Sequence, residues 1–281
     1  MTITNDFFNR LIGTWENKIN GQWQDDFGWN FIAQPKLAVG TIDDFSMRFD
    51  QMHETITFKE IGQARNIGVT GEAGFWRSLA YEISIKNTQG DGIHHEMGHF
   101  LLKVMENGET AEQLRGDIIR QATIPRANAM MTLGELRPER LNDIDTPIHN
   151  QFYDALPKSL STVFQASIDA EFLNANSQIQ ALQGPNFRSP LTWLKAILAA
   201  SPVGVDWVFS FREDKEPSQM ASGERVINPV SIGNLLSDFW IAKRHMTGIE
   251  IDILQYVQKV DLKFNGMSWP HVAINTLIKQ N

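Results

Sequence analysis

Apolar residues alternate with polar ones through much of the first 136 residues, and this alternation most restricts what the chain can become. Glu54 to Phe58 places Ile56 and Phe58 on one face. Ser78 to Ile85 does the same with Leu79, Tyr81, Ile83 and Ile85, and Asp117 to Ile124 and Ala127 to Leu136 continue the pattern. A period of two is the signature of a strand buried on one face. The breaks carry turn chemistry: Gly62, Gly71, Asn87 to Gly92, and Asn107-Gly108. Strands joined by such turns predict a mainly β fold, an antiparallel barrel or sandwich. A short helix over residues 5 to 12 precedes them, with Phe7, Phe8, Leu11 and Ile12 on its apolar face and Asn5 or Asp6 as cap.

Near Arg137 the chain becomes richer in Pro, Asn and Ser. Helices are expected at Pro190 to Ala200 and at Ser231 to Lys243, the latter from Ile232, Leu235, Leu236 and Trp240. Strand-like runs are expected at Thr162 to Phe172 and Val205 to Phe211. After Gly248 the strand pattern returns and leads to Asn265-Gly266, a hairpin signal. His271 to Gln280 reads as a strand or a last helical turn. The expected division is a β domain of residues 1–136 plus 248–281, with 137–247 an insertion of mixed helix and strand packed on it. The apolar face of the Ser231 to Lys243 helix could pack on the β domain or join a second copy as a homodimer.

Composition narrows the function classes. The formal charge is −8, without a basic stripe to neutralise phosphates, so nucleic acid is not an expected partner. There are no cysteines, which excludes disulfides, thiolate ligation and cysteine nucleophiles. Met1 to Asp6 lacks the basic and apolar regions of a signal peptide, and the apolar window Leu191 to Phe209 is broken by Lys195, Pro202 and Asp206. A cytoplasmic protein with no membrane partner is the expectation.

Three of the seven histidines fall in His94-His95-Glu96-Met97-Gly98-His99. Imidazole is a common ligand of zinc and haem iron. His95-Glu96-Met97-Gly98-His99 spells H-E-x-x-H, which on a helix would place His95 and His99 on zinc with Glu96 as general base of a peptidase. As a strand, the same residues put His94, Glu96, Gly98 and Phe100 on one face and His95, Met97, His99 and Leu101 on the other.

Several segments, in order, carry a family resemblance. They are Leu11-Ile12-Gly13-Thr14-Trp15; Phe49 with Glu54-Thr55-Ile56-Thr57-Phe58; Leu79-Ala80-Tyr81; His94 to Phe100; Gln121-Ala122-Thr123 with Gly134-Glu135; and Pro270-His271-Val272-Ala273-Ile274-Asn275-Thr276-Leu277. Together they resemble the nitrobindin-like haem-binding β-barrels, relatives of the calycins (lipocalins and fatty-acid-binding proteins). The stretch 137–247 has no counterpart there, and it could lie over the barrel mouth. The resemblance implies a calycin-like barrel holding haem b, with His271 as axial iron ligand and His94 on the opposite, distal side, where it would be the catalytic residue. It implies Tyr81 near the cofactor, Trp15 as core at the barrel floor, and an activity of binding nitric oxide or isomerising peroxynitrite to nitrate. A calycin-like carrier of fatty acid or another apolar small molecule, without catalysis, is the alternative.

Overall fold

The computed structural model describes residues 3–38, 41–64, 74–105, 116–123, 129–137, 153–158, 162–199, 205–213, 231–246, 249–264 and 267–280. Helix α1 (Ile3–Leu11) leads into β1 (Gly13–Glu16), the short pair β2 (Lys18–Ile19) and β3 (Gln22–Trp23), then β4 (Trp29–Ala38) and β5 (Thr41–Ala64). Strands β6 (Gly74–Asn87), β7 (Gly92–Met105), β8 (Gly116–Thr123) and β9 (Ala129–Arg137) follow. Helices α2 (Thr162–Ala181) and α3 (Pro190–Ala199) precede β10 (Val205–Glu213), β11 (Ser231–Met246), β12 (Ile249–Phe264) and β13 (Met267–Lys279).

Eleven strands form one sheet in the order β1-β13-β12-β11-β10-β9-β8-β7-β6-β5-β4. All its ladders are antiparallel, and two further ones join β1 to β5 and β13 to β4. The β13–β4 ladder pairs Val272 with Phe31 and His271 with Ile32. The mainly β expectation therefore holds. Gly62 lies at a bulge in β5, with φ of 141°, and not at a strand end. The turn signals at Gly71, Asn107-Gly108 and Asn265-Gly266 lie outside the described residues, but β12 and β13 pair up to Phe264 and Met267.

Alternation along the strands creates two main cores, beside a smaller cluster of Ala33, Phe45, Ile168 and Trp269. On one face Trp15, Ile56, Phe58, Leu79, Tyr81, Phe100, Ile118, Phe239, Leu254 and Leu277 pack together, and α1 adds Phe7, Phe8 and Leu11. Trp15 is fully buried and its indole N–H donates to Leu11 O at 2.7 Å, so it is core as expected. On the other face α2 and α3 bring Phe172, Ile179, Leu191 and Leu194 against Trp29, Phe31, Trp240, Val257, Val272 and Ile274. Strand β13 is thus buried on both sides, with Ala273 and Leu277 in one core and Val272, Ile274 and Ile278 in the other.

Two expected elements are corrected. Ser231 to Lys243 is not a helix but part of β11. Its Leu235, Phe239 and Ile241 enter one core and its Trp240 and Ala242 the other. A strand buried on both faces shows no alternation, and its apolar residues can mimic helical spacing. Thr162 to Phe172 is not a strand but the first half of α2. Ile168, Phe172, Ala175 and Ile179 are its buried apolar positions among the described side chains, a helical spacing that emerges only beyond Phe172. The stretch 137–247 thus supplies sheet as well as cover. Strands β10 and β11 sit in the sheet between β9 and β12, and α2 and α3 lie on the sheet face remote from Trp15.

Candidate functional site

A cavity of about 200 Å³ opens within the core face of the sheet. Met52, Ile56, Ile83, Ile85, Ile93, Phe239, Val260, Leu262 and Ala273 supply its apolar wall. Set into it are Asn30, Glu54, His94, Glu96, Arg120, Tyr256, Gln258 and His271. The polar groups come from six strands, β4, β5, β7, β8, β12 and β13. No short stretch of sequence contains the site.

Residues 92–105 form a strand, so the helix that an H-E-x-x-H zinc site requires is absent from them. His94 and Glu96 point into the cavity. His95 points away and meets Glu82 at 3.0 Å on the solvent side, beside the exposed Met97. Among the described residues no group of three or more His, Asp or Glu is arranged to hold a metal ion. Gly98 has a packing role: a Cβ there would lie 1.9 Å from the Gln121 carbonyl oxygen on β8.

Glu96 is the centre of one polar network. Its Oε1 accepts from Arg120 Nη2 at 2.7 Å and from the Tyr81 hydroxyl, and His94 Nε2 lies 3.5 Å from its Oε2. Arg120 also donates through Nε to the Tyr81 oxygen at 3.1 Å and through Nη1 to Gln258 Oε1 at 2.7 Å. Burial alone would push the Glu96 carboxyl up. The Arg120 charge and the hydrogen bonds from His94, Tyr81 and Arg120 outweigh it and hold the carboxyl down at about 2. Burial and the neighbouring Glu96 keep the Tyr81 phenol protonated. Tyr81 therefore stands behind the cavity wall, ordering Glu96 and Arg120, and does not itself line the space.

Glu54 anchors a second network. Its Oε2 accepts from the Tyr256 hydroxyl at 2.5 Å and from Asn275 Nδ2 at 2.7 Å. Asn275 is oriented by its Oδ1, which accepts from Thr276 N at 2.8 Å. Burial raises the Glu54 carboxyl to about 7, against the opposing pull of Tyr256, Asn275 and His94. Two carboxyls in one cavity are thereby driven apart, one an anion and the other near half-protonation at neutral pH.

His271, on β13, also lines the cavity, with Nε2 donating to Asn30 Oδ1. Burial, and then the nearby His94, lower its imidazole to about 4, so it is neutral at physiological pH. His94 and His271, far apart in the sequence, share one cavity.

The sequence reading did not single out Glu54, Arg120, Tyr256, Gln258, Asn275 or Asn30. A signal was present for two of them. Glu54 shares the alternating face of Ile56 and Phe58, and Arg120 stands between Ile118 and Ala122 on theirs. A charge on the apolar face of a strand must find a buried partner. No family model matches the chain, and neither a curated protein nor a solved structure matches it.

Proposed function

We propose that this chain is a haem-binding β-barrel protein of calycin-like architecture, with His271 as axial ligand and His94 on the opposite side of the pocket. One observation carries the reading: a single apolar cavity gathers His94 and His271 and keeps His271 neutral. A neutral imidazole is what iron coordination needs. The ladders from β13 to β4 and from β1 to β5 support a barrel, since they link strands that stand apart in the sheet order. The donor chemistry suits haem b. Ligation through Nε2 would exchange the Asn30 hydrogen bond for the iron, and Ile, Val, Leu and Phe side chains would face the porphyrin. Bound there, haem would supply an iron with a free position for nitric oxide or peroxynitrite. His94, backed by Glu96, would offer a hydrogen bond to such a ligand, the role expected of a catalytic residue in peroxynitrite isomerisation.

Titration of the purified protein with ferric haem tests this. The expected result is a saturable Soret band at one equivalent, lost in His271→Ala and retained in His94→Ala. Circular dichroism is the check that each variant is folded. A well-folded protein that takes up no haem refutes the reading.

Cavity size favours a second reading. Sites for drug-sized ligands span roughly 300–1,000 Å³, and this cavity is about 200 Å³, nearer the scale of a small apolar molecule. The protein would then be a carrier, and its ligand would bind irrespective of His271.

A further inference from the structure

Glu54 is 1 % exposed and lines the cavity. Both of its side-chain hydrogen bonds fall on Oε2. Among the described residues no donor meets Oε1. Glu54 lines the cavity, so its Oε1 is left for a molecule that enters that space. Arg120, the cation of the cavity wall, is matched by Glu96 and has every nitrogen engaged, with Tyr81, Gln258 and Glu96. It therefore has no net charge to offer a ligand carboxylate, unlike a solitary arginine at the base of an apolar pocket.

The geometry points to Glu54 Oε1 as the ligand-recognition group of this cavity, and to a small apolar molecule bearing a basic nitrogen as the ligand class. The charged and titratable groups around Glu54 agree. Tyr256 on β12 is a neutral phenol, His271 on β13 a neutral imidazole, and Glu96 on β7 an anion cancelled by Arg120 on β8. His94 on β7 faces the same space. An ammonium entering it finds one counter-ion, Glu54, which gives up its proton as the cation binds. The proton passes to solvent and no covalent bond changes. The inference rests on the cavity being a ligand site, not on the ligand being haem.

Hexylamine and hexanoate, equal in chain length and opposite in charge, are the probes. Calorimetric titration of the full chain, free of haem, at pH 8 should show hexylamine binding at least tenfold tighter than hexanoate. Apparent affinity for hexylamine should fall about tenfold per pH unit below 7, where Glu54 must lose its proton to bind, and level off above it. Proton release, read from buffers of different ionisation enthalpy, should approach one at pH 6. Glu54→Gln, which keeps the side-chain shape, should abolish both the preference and the pH dependence. Equal or tighter hexanoate binding, an unchanged preference in Glu54→Gln, or no hexylamine binding at millimolar concentration overturns the assignment. Ferric haem titrated into the same samples separates the two ideas. Amine binding without haem uptake sinks only the haem reading, and haem uptake without amine selectivity sinks only this one.

Discussion

Arg120→Met is the substitution whose cost the structure sets most directly. It removes the guanidinium from Glu96 while leaving a side chain of similar length. Glu96 is 2 % exposed, and without Arg120 it keeps only the Tyr81 hydroxyl and His94 beside it. Breaking a buried pair from one side typically costs about 3–5 kcal/mol. The net depression of the Glu96 carboxyl, after burial and all its partners are counted, is of similar size. Its carboxyl lies at about 2, against an ordinary 4.5, which converts to on the order of 3 kcal/mol. Because the folded value is depressed, this stabilisation is present above about pH 4.5 and is lost as pH falls towards 2. Urea denaturation at pH 7 should therefore show Arg120→Met destabilised by about 3–5 kcal/mol. The double variant Arg120→Met/Glu96→Gln should recover most of that loss, since no charge is then stranded. The difference between wild type and Arg120→Met should shrink as pH falls from 4.5 towards 2. If Arg120→Met costs less than about 1 kcal/mol, the worth of an exposed ion pair, or if the double variant is no more stable than the single, Arg120 and Glu96 are not the coupled buried pair described.

Glu54 should show the opposite pH sign. Its carboxyl is raised from 4.5 to about 7, so its protonated form stabilises the fold fully below about pH 4.5, and this is lost as pH rises through 7. Wild type should thus lose stability relative to Glu54→Gln across that window and run parallel to it above, in urea melts taken at half-unit pH steps. Gly98→Ala drives a methyl to 1.9 Å from Gln121 O. The rigid ladder cannot yield cheaply, so a loss of about 1–3 kcal/mol is expected in thermal melts, as for overpacked cores; a neutral effect would mean that β7 and β8 separate freely.

Strands with one solvent face were legible in the sequence. Asn87 to Gly92 turned where expected, and the segments around Ile56, Leu79 and Ile118 kept their alternation because water demands polar residues on one side. Strand β11 was not legible, because the helices on one side and the first core on the other remove that demand. Of the site, His94 and His271 were found as residue types suited to iron. Glu54 stood out only as part of its strand segment and Arg120 not at all, because a lone Glu or Arg in a strand is commonplace. Its importance depends on which face it occupies and on partners such as Asn275 or Gln258, distant in the chain.

Strand β13 hydrogen-bonds to β1, β4 and β12 at once, and this has a consequence for synthesis. The early strands leave the ribosome with their eventual neighbour not yet translated. Until β13 is made, β1 and β4 each expose an unsatisfied edge, a hazard for pairing with other chains. The cavity wall gains His271 and Ala273 only when β13 arrives, so a nascent chain should complete the cavity in a single step.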